Sequence, residues 1–598
     1  MRAAEERGGG ANGEDAHTQD GTVDRRGGPA RRSKTGRWTG CSFIVAYEVF
    51  ERLAYYGVAS NLVLYLTKRL REGTVESANS VTNWTGIVWM TPVLGAYIGD
   101  VHLGRYKTFV IASIIYLLGM VLLTLSVSLP SLSPPSCGPG VKEEDCNLKA
   151  TPFQVGFFYF ALYIIALGNG GTKPNISSMG ADQFDEFEPR ERVQKASFFN
   201  WWMCSVFTGA LFANTVMMYI QDNVGWGTGY SIQTAGLGLA LLLFLGGTPF
   251  YRHKKKARSS YARLAQVVVA ATKKWRVRIP DDPKELHELS IDEYASSGRL
   301  RIDSTPTLRF FDKAATKTGP TSSWTLCTVT QVEEAKQIFK MVPILIATFV
   351  PSAVFGQVTT LFIKQGTTLD RSIGQNFKMP PASLKAFIQV TLLISLVLYD
   401  RVFVPVMRRY TKHPRGITML QRMGIGLSLF VVVMAAGSLT ERRRLSVARE
   451  RGTVGQHDVV PLSIFILLPQ FMLMGVADAF LEAAKLEFFY DQAPEGMKSF
   501  GTSYYTTGMG IGYFLSSFLL QTVSTVTKKN GQPGWITNNL NQSHLDYYYA
   551  LMAVICFVNL VYFLLVAGKY AYNADASEYR KELAMATIDD TASRDNRG

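Results

Sequence analysis

Long apolar runs separated by short polar breaks fill most of the 598-residue chain. "TFVIASIIYLLGMVLLTLSVSL" (108–129) and "YYALMAVICFVNLVYFLLVAG" (548–568) are each long enough to cross a hydrocarbon core, which takes about 20 helical residues. Twelve such segments can be marked, at 43–66, 81–100, 107–129, 153–174, 196–220, 229–250, 337–362, 382–406, 417–439, 460–487, 499–525 and 546–570. A soluble core accounts for one or two runs of this kind; twelve predict an all-α membrane protein with twelve transmembrane helices. The spans fall six and six about a polar stretch too charged to enter a bilayer. The expected organisation is a tail (1–40), a six-helix bundle (41–250), a linker (251–335) holding a short amphipathic helix, a second bundle (336–572) and a tail (573–598).

Composition agrees: 47% of residues are hydrophobic and 18% charged, against about 25% charged in soluble domains. The cluster Arg25, Arg26, Arg31, Arg32, Lys34 and Arg37 before the first span predicts a cytoplasmic N-terminus. An even number of spans returns the C-terminus to that side and makes the linker cytoplasmic. Arg105 to Lys107, 252–258 and 408–415 then lie inside. A predicted external loop with Arg442, Arg443, Arg444, Arg449 and Arg451 breaks the rule. Residues 1–40 carry no apolar leader core, so no cleaved signal peptide is expected, and their Gly, Arg and acidic content suggests disorder.

The net charge of +15 is explained by these flanks. No basic soluble domain is present to suggest nucleic-acid binding. The six cysteines form no CxxC or Cys/His cluster, so no metal site is expected. Cys137 and Cys146 share a predicted external loop, which leaves a disulfide or two free thiols open. "NQS" at Asn541 is a glycosylation sequon in another predicted external loop. There is no nucleophile–base–acid arrangement, and the glycines of "GNGGTK" lack phosphate-loop spacing, so an enzyme is not expected.

Charges inside spans carry the candidate chemistry, because each costs about 2.5–3.5 kcal/mol at a helix centre unless paired or facing a wet cavity. Glu48, Glu51, Arg52 and Tyr55 recur at i, i+3, i+4 and i+7 and share one helix face. Glu48 and Arg52 can pair across one turn, leaving one acid in excess for proton exchange. Lys173 lies in "GNGGTKPN", a Gly/Pro-rich stretch that predicts a break in span 4. Asp478, Glu482 and Lys485 form a second stripe at i, i+4 and i+7, expected to face the other half. Gln357 is the polar candidate in span 7. The seven histidines all fall in tails, loops or span ends, so carboxylates are the expected proton carriers. Span 2 ends in Asp100 with Arg105 beyond, and span 8 ends in Asp400 and Arg401. This echo suggests two related halves with a site between them, an alternating-access plan. Gly508 and Gly512 predict close helix packing in span 11.

"EVFERLAYYG" resembles the ExxER signature of the proton-dependent oligopeptide transporter family, within the major facilitator superfamily. "GAYIGDVHLGRYKTF", "GGTKPNISSMGADQFD", "YDRVFVP", "LEFFYDQAPEGMKS" and "GWITNNLNQSHLDYYYA" are similar to its plant nitrate/peptide branch, with coverage from about 40 to 572. The resemblance implies a twelve-helix major facilitator fold and a proton symporter needing no cofactor beyond the proton gradient. It implies that Glu48, Glu51 and Arg52 couple protons. Tyr55, Tyr56, Lys173, Gln357, Asp478 and Glu482 would meet the substrate, and Asp100, Arg105, Asp400 and Arg401 would gate. Di- and tripeptides are the leading substrates, with nitrate or another small anion as the alternative and a non-transporting sensor behind both. Expected partners are the substrate, protons, the lipid bilayer and a regulatory kinase acting on the linker or tails. The plasma membrane is the expected location, with the vacuolar membrane as alternative. Three positions depart from the family pattern: Asp478 replaces Glu, Ala59 stands where bacterial peptide carriers place arginine, and Val206-Phe207-Thr208-Gly209 lacks the usual asparagine.

Overall fold

The computed structural model describes residues 17–135, 148–185, 187–254, 260–290, 293–294, 301–319, 321–412, 416–494, 497–528 and 533–572. Helices occupy all twelve expected spans. The first half runs Arg37–Ala59 with Leu62–Lys68, Thr74–Tyr97, Arg105–Ser128, Pro152–Ala181, Pro189–Phe212 extended to Val224, and Trp226–Gly246. In the second half span 7 is bent and broken (Val342–Ala347, Phe349–Thr359, Leu361–Thr367). Lys385–Leu398 with Val404–Thr411, Met419–Glu450, Leu468–Gln492, Lys498–Thr527 and Leu545–Lys569 follow. Among the described residues nine helices are long and apolar enough to cross a membrane, ten if the bent span counts as one. Span 1 is interrupted and carries Glu48, Glu51 and Arg52; span 2 is diluted by Asn79, Ser80, Thr82, Asn83 and Thr85. Polar residues inside a bundle are affordable where other helices, not lipid, surround them.

Local sequence sets several boundaries. Thr151 with Gln154, and Thr418 with Gln421, form capping boxes that satisfy the first free N–H groups of spans 4 and 9. Apolar side chains such as Ile114 and Leu118 in span 3, Leu242 in span 6 and Leu565 in span 12 are more than half exposed, a surface suited to lipid. Spans 2 and 8 both carry a π-helical turn around their aspartate, Ile98–Leu103 at the end of span 2 and Tyr399–Phe403 within span 8, so the sequence echo of the halves is also structural.

The chain divides into two compact units. One comprises Met1–Ser259, Leu345–Leu486 and Ser503–Val561; the other comprises Ser260–Ile344, Glu487–Thr502 and Tyr562–Gly598. In the second unit the expected linker helix is present at Ser260–Lys273. It has its own small core of Val267, Ala270, Ala271, Leu286, Ala314 and Ala315. Lys336 is buried there between Asp312 and Glu333, at 2.6 and 2.7 Å.

Three expectations are corrected. Residues 17–36 are not disordered but form a strap on the first unit. Val23 and His253 exchange backbone hydrogen bonds, and Arg32 pairs with Asp185 at 2.7 Å and Glu188 at 3.1 Å. Burial opposes ionisation of Asp185, but donors from the Gln19 N–H, Arg32 and the Phe187 N–H outweigh it and hold the carboxyl below its usual range. Composition alone misses this because the partners lie over 150 residues away. Span 4 is not broken: Pro152–Ala181 is continuous through Pro174. Its glycines serve close approach, since a Cβ on Gly170 would collide with Thr91 of span 2 and one on Gly171 with Ala112 of span 3.

The arginine-rich external loop is instead the last turns of span 9, and Arg444 is fully buried. Its guanidinium donates to both Glu441 oxygens at 2.6 and 2.8 Å, to Asn541 Oδ1 at 2.6 Å and to Leu540 O at 2.8 Å. This pairing removes one charge from the positive-inside count. Asn541 is 2% exposed, and its Nδ2 donates to the Gly455 and Asp458 carbonyls, so the sequon is a structural tie. Asn541→Gln leaves electrophoretic mobility unchanged and destabilises the protein by about 1–3 kcal/mol, read by thermal unfolding in detergent. Cys137 and Cys146 lie outside the described residues.

The paired glycines of span 11 do pack closely. A Cβ on Gly508 would lie 2.8 Å from Thr348 Oγ1, and one on Gly512 would strike Ser352 and lie 2.7 Å from Phe349 O, both in span 7. Gly512→Leu is therefore expected to lower stability by about 1–3 kcal/mol or more, seen as an earlier thermal transition.

Candidate functional site

The polar face of span 1 is buried as a unit: Glu48, Glu51 and Arg52 are 0, 1 and 8% exposed. Arg52 Nε donates to Glu48 Oε1 at 2.7 Å and lies 2.9 Å from Glu51 Oε2. The Nε carries one hydrogen, which goes to Glu48, so the Glu51 contact is a charge contact without hydrogen-bond geometry. Glu51 Oε1 accepts a 2.7 Å bond from Asn169 Nδ2 of span 4. One arginine thus serves two carboxylates in a low-dielectric setting, where a single charge is costly and each partner matters.

Lys173, one turn beyond Asn169, does not snorkel. Its Nζ is shielded from solvent, stands 4.2 Å from the Tyr55 ring centre and 4.5 Å from that of Trp89, and has no hydrogen-bond partner among the described residues. It lies within electrostatic range of Glu51 and Glu48. An ammonium held by two ring faces is stabilised in part, and its three N–H groups are available to an incoming acceptor.

The aromatic surface continues into the second half. Trp89 meets Tyr505 of span 11 edge-on at 6.1 Å, and Lys485 Nζ sits 4.8 Å over the Tyr505 ring. Lys485 also donates to Glu482 at 2.6 Å. Asp478, a turn earlier, makes no hydrogen bond or ion pair among the described residues, and its field reaches Tyr56 of span 1 and Tyr513 of span 11. The charged stripe of span 10 therefore meets the same aromatic cluster as Tyr55, Tyr56 and Lys173. Gln357 is placed differently: its amide donates to Ser516 at 3.0 Å and Tyr548 at 3.1 Å, a tie among spans 7, 11 and 12.

A family model described as the POT family matches residues 106–536. The chain belongs to the POT family. Its curated relatives place it in the NRT1/PTR branch. It is 56% identical over 565 residues to Protein NRT1/PTR FAMILY 5.2 of Arabidopsis thaliana, covering 94% of this chain and 97% of that one. It is 57% identical to Protein NRT1/PTR FAMILY 5.3 of the same plant, covering 94% and 96%. Among solved structures, an auto-inhibited POT family peptide transporter matches with a TM-score of 0.65 at 19% identity, covering 90% of this chain and 98% of that one. The POT family transporter PepTSo matches with a TM-score of 0.65 at 20% identity, covering 89% and 99%. These structural likenesses show the fold, two six-helix halves, and membership of the family makes the chain a multi-pass membrane transporter.

In this POT-family chain the expected gating residues form two separate groups. Arg105 bridges Asp100 at 3.1 Å and Asp182 at 2.6 Å, joining the ends of spans 2, 3 and 4 within one half. Asp400 and Arg401 are about four-fifths exposed and 4.0 Å from each other. At the opposite end of the bundle the two halves are stitched together. Arg371 pairs with Asp222 at 3.1 Å, and Lys385 donates to Ser60 at 3.2 Å. Asn214 donates to Gln389 at 3.2 Å, Asn79 to Gln521 at 2.8 Å, and the Thr74 N–H to Asn538 at 2.9 Å.

Sequence reasoning missed this seam, and also Asn169, Trp89 and Tyr505. Asn169 carried a usable signal, since it lies four residues before Lys173 on the same helix face. Lys385 carried another, as a lone cation in the apolar run after "PPASL". The two aromatics had none, because tryptophan and tyrosine in a span read equally well as core.

Proposed function

We propose that this POT-family chain is a proton-coupled symporter that moves di- and tripeptides by alternating access. The observation that supports the reading is that two charged groups with no hydrogen-bond partner among the described residues border one aromatic cluster: the Lys173 ammonium of the first half, over Tyr55 and Trp89, and the Asp478 carboxylate of the second, whose field reaches Tyr56 and Tyr513. A peptide zwitterion supplies a carboxylate for the one and an ammonium for the other. Tyr55, Tyr56 and Trp89 give its side chains an apolar wall. Glu48, Glu51 and Arg52 would take and release the driving proton. Protonation of Glu51 removes one anion from the field of Lys173 and so strengthens its pull on the substrate carboxylate.

The strap end is read as cytoplasmic by the positive-inside rule, which places both termini inside and makes this an inward-facing state closed outside. Asp100 with Arg105, and Asp400 with Arg401, would then meet or reorganise when the cytoplasmic side closes. The plasma membrane is the proposed location, and the vacuolar membrane the alternative. Nitrate would need Lys173 alone and would leave the unpaired Asp478 as a repelling neighbour. Two-electrode recording of cells expressing the chain at acidic external pH should give inward current on adding a dipeptide. Silence to dipeptides with a nitrate-evoked current would replace the substrate class; silence to both would favour a non-transporting sensor.

A further inference from the structure

Span 10 brings two carboxylates and an ammonium to the aromatic cluster of Tyr56, Tyr505 and Tyr513, and their arrangement is unequal. Lys485 is 0% exposed; its Nζ lies 2.6 Å from Glu482 Oε1 and 3.4 Å from Met509 Sδ, with the Tyr505 ring at 4.8 Å. Tyr505 lies in the field of the Glu482 carboxylate, whose Oε2 has no hydrogen-bond partner among the described residues. A carboxylate and an aromatic face around one ammonium are what a substrate amino group would seek. At Glu482 the protein already fills that place with its own side chain. Asp478, on the same face, has Glu482 and Lys485 as its charged neighbours and no bonded partner among the described residues.

We propose that Lys485 is a specificity-determining residue: by holding Glu482 in an ion pair it leaves one carboxylate, Asp478, to receive one ammonium group. This rests on the peptide reading given above and deepens it. With Lys485 present the stripe carries a net charge of one negative unit and accepts a singly charged amino end. A second ammonium, as in a peptide with N-terminal lysine, would approach Lys485 itself and meet like-charge repulsion in a poorly screened site. Without Lys485 the stripe would carry two negative units and suit a dication. Loss of Glu482 alone has the opposite effect. The freed Lys485 ammonium, on the same helix face as Asp478, would compete with the substrate for it.

The test uses full-length protein with Ala-Ala, a neutral zwitterion, and Lys-Ala, which carries an additional positive charge. Currents give KM for each, and thermal stabilisation of the purified protein gives binding. The wild type should prefer Ala-Ala by about tenfold, and K485Q should cut that preference to about threefold or reverse it. E482Q should raise the KM for Ala-Ala by about tenfold, and E482Q/K485Q should bring both values back toward the wild type. If K485Q does not reach the membrane, E482Q against the double variant makes the same comparison. A wild type that carries Ala-Ala, with K485Q leaving the preference unchanged or E482Q not rescued by K485Q, overturns the proposal while the peptide reading stands. Absence of current and of stabilisation by either dipeptide in every variant removes the peptide reading and this proposal together.

Discussion

Glu51→Gln is expected to reduce dipeptide-driven inward current at least about a hundredfold, to the background of cells lacking the protein. The amide keeps the shape of the side chain, and its oxygen can still accept from Asn169. It loses the charge that Arg52 and Lys173 sense. The chain then resembles a permanently protonated carrier: substrate can still bind, but no proton is released to complete the cycle. Exchange of labelled for unlabelled dipeptide across vesicles should therefore persist when net uptake is gone. Lys173→Ala is expected to remove both, because the ammonium at the aromatic wall is the proposed anion-binding group. If Glu51→Gln retains proton-driven uptake, Glu51 does not couple protons. If Lys173→Ala binds dipeptide normally, the substrate carboxylate is held elsewhere.

Cross-linking the seam is expected to stop transport as completely. Asn79 and Gln521 come from opposite halves and meet at 2.8 Å. Cysteines at the two positions, bridged by a short cleavable bifunctional thiol reagent, should drop uptake to background, and cleavage of the bridge should restore it. The closed seam combines one ion pair with several neutral hydrogen bonds, each worth about 0.5–1.5 kcal/mol net. That is a contact able to break in every cycle, whereas a covalent bridge is not. Full uptake by the bridged protein would mean that this seam is not a gate.

Much of the fold was legible in the chain because a membrane span must satisfy its backbone locally, and twenty apolar residues announce this without reference to any partner. The face of Glu48, Glu51 and Arg52 was legible for a similar reason, since three- and four-residue spacing is a property of one helix. The same reasoning failed where a residue's meaning lay in another span. The glycines before Lys173 read as a break but serve contact with spans 2 and 3. Arg444 read as an external loop charge but is buried on Glu441 and Asn541. The strap read as disordered because Asp185, Glu188 and His253 are far away in sequence.

The sequence by itself determined that the chain is a twelve-span membrane protein in two related halves, with acids and a cation on one face of span 1 and mixed charge on span 10. Only the tertiary structure decided which of those charges are already neutralised. It paired Glu482 with Lys485 and, among the described residues, gave neither Lys173, over Tyr55 and Trp89, nor Asp478, whose field reaches Tyr56, a hydrogen-bonding partner. The physical reason is distance. Helical spacing places side chains on a face, but the energy of a buried charge depends on what stands within a few ångströms of it, and those neighbours come from other helices.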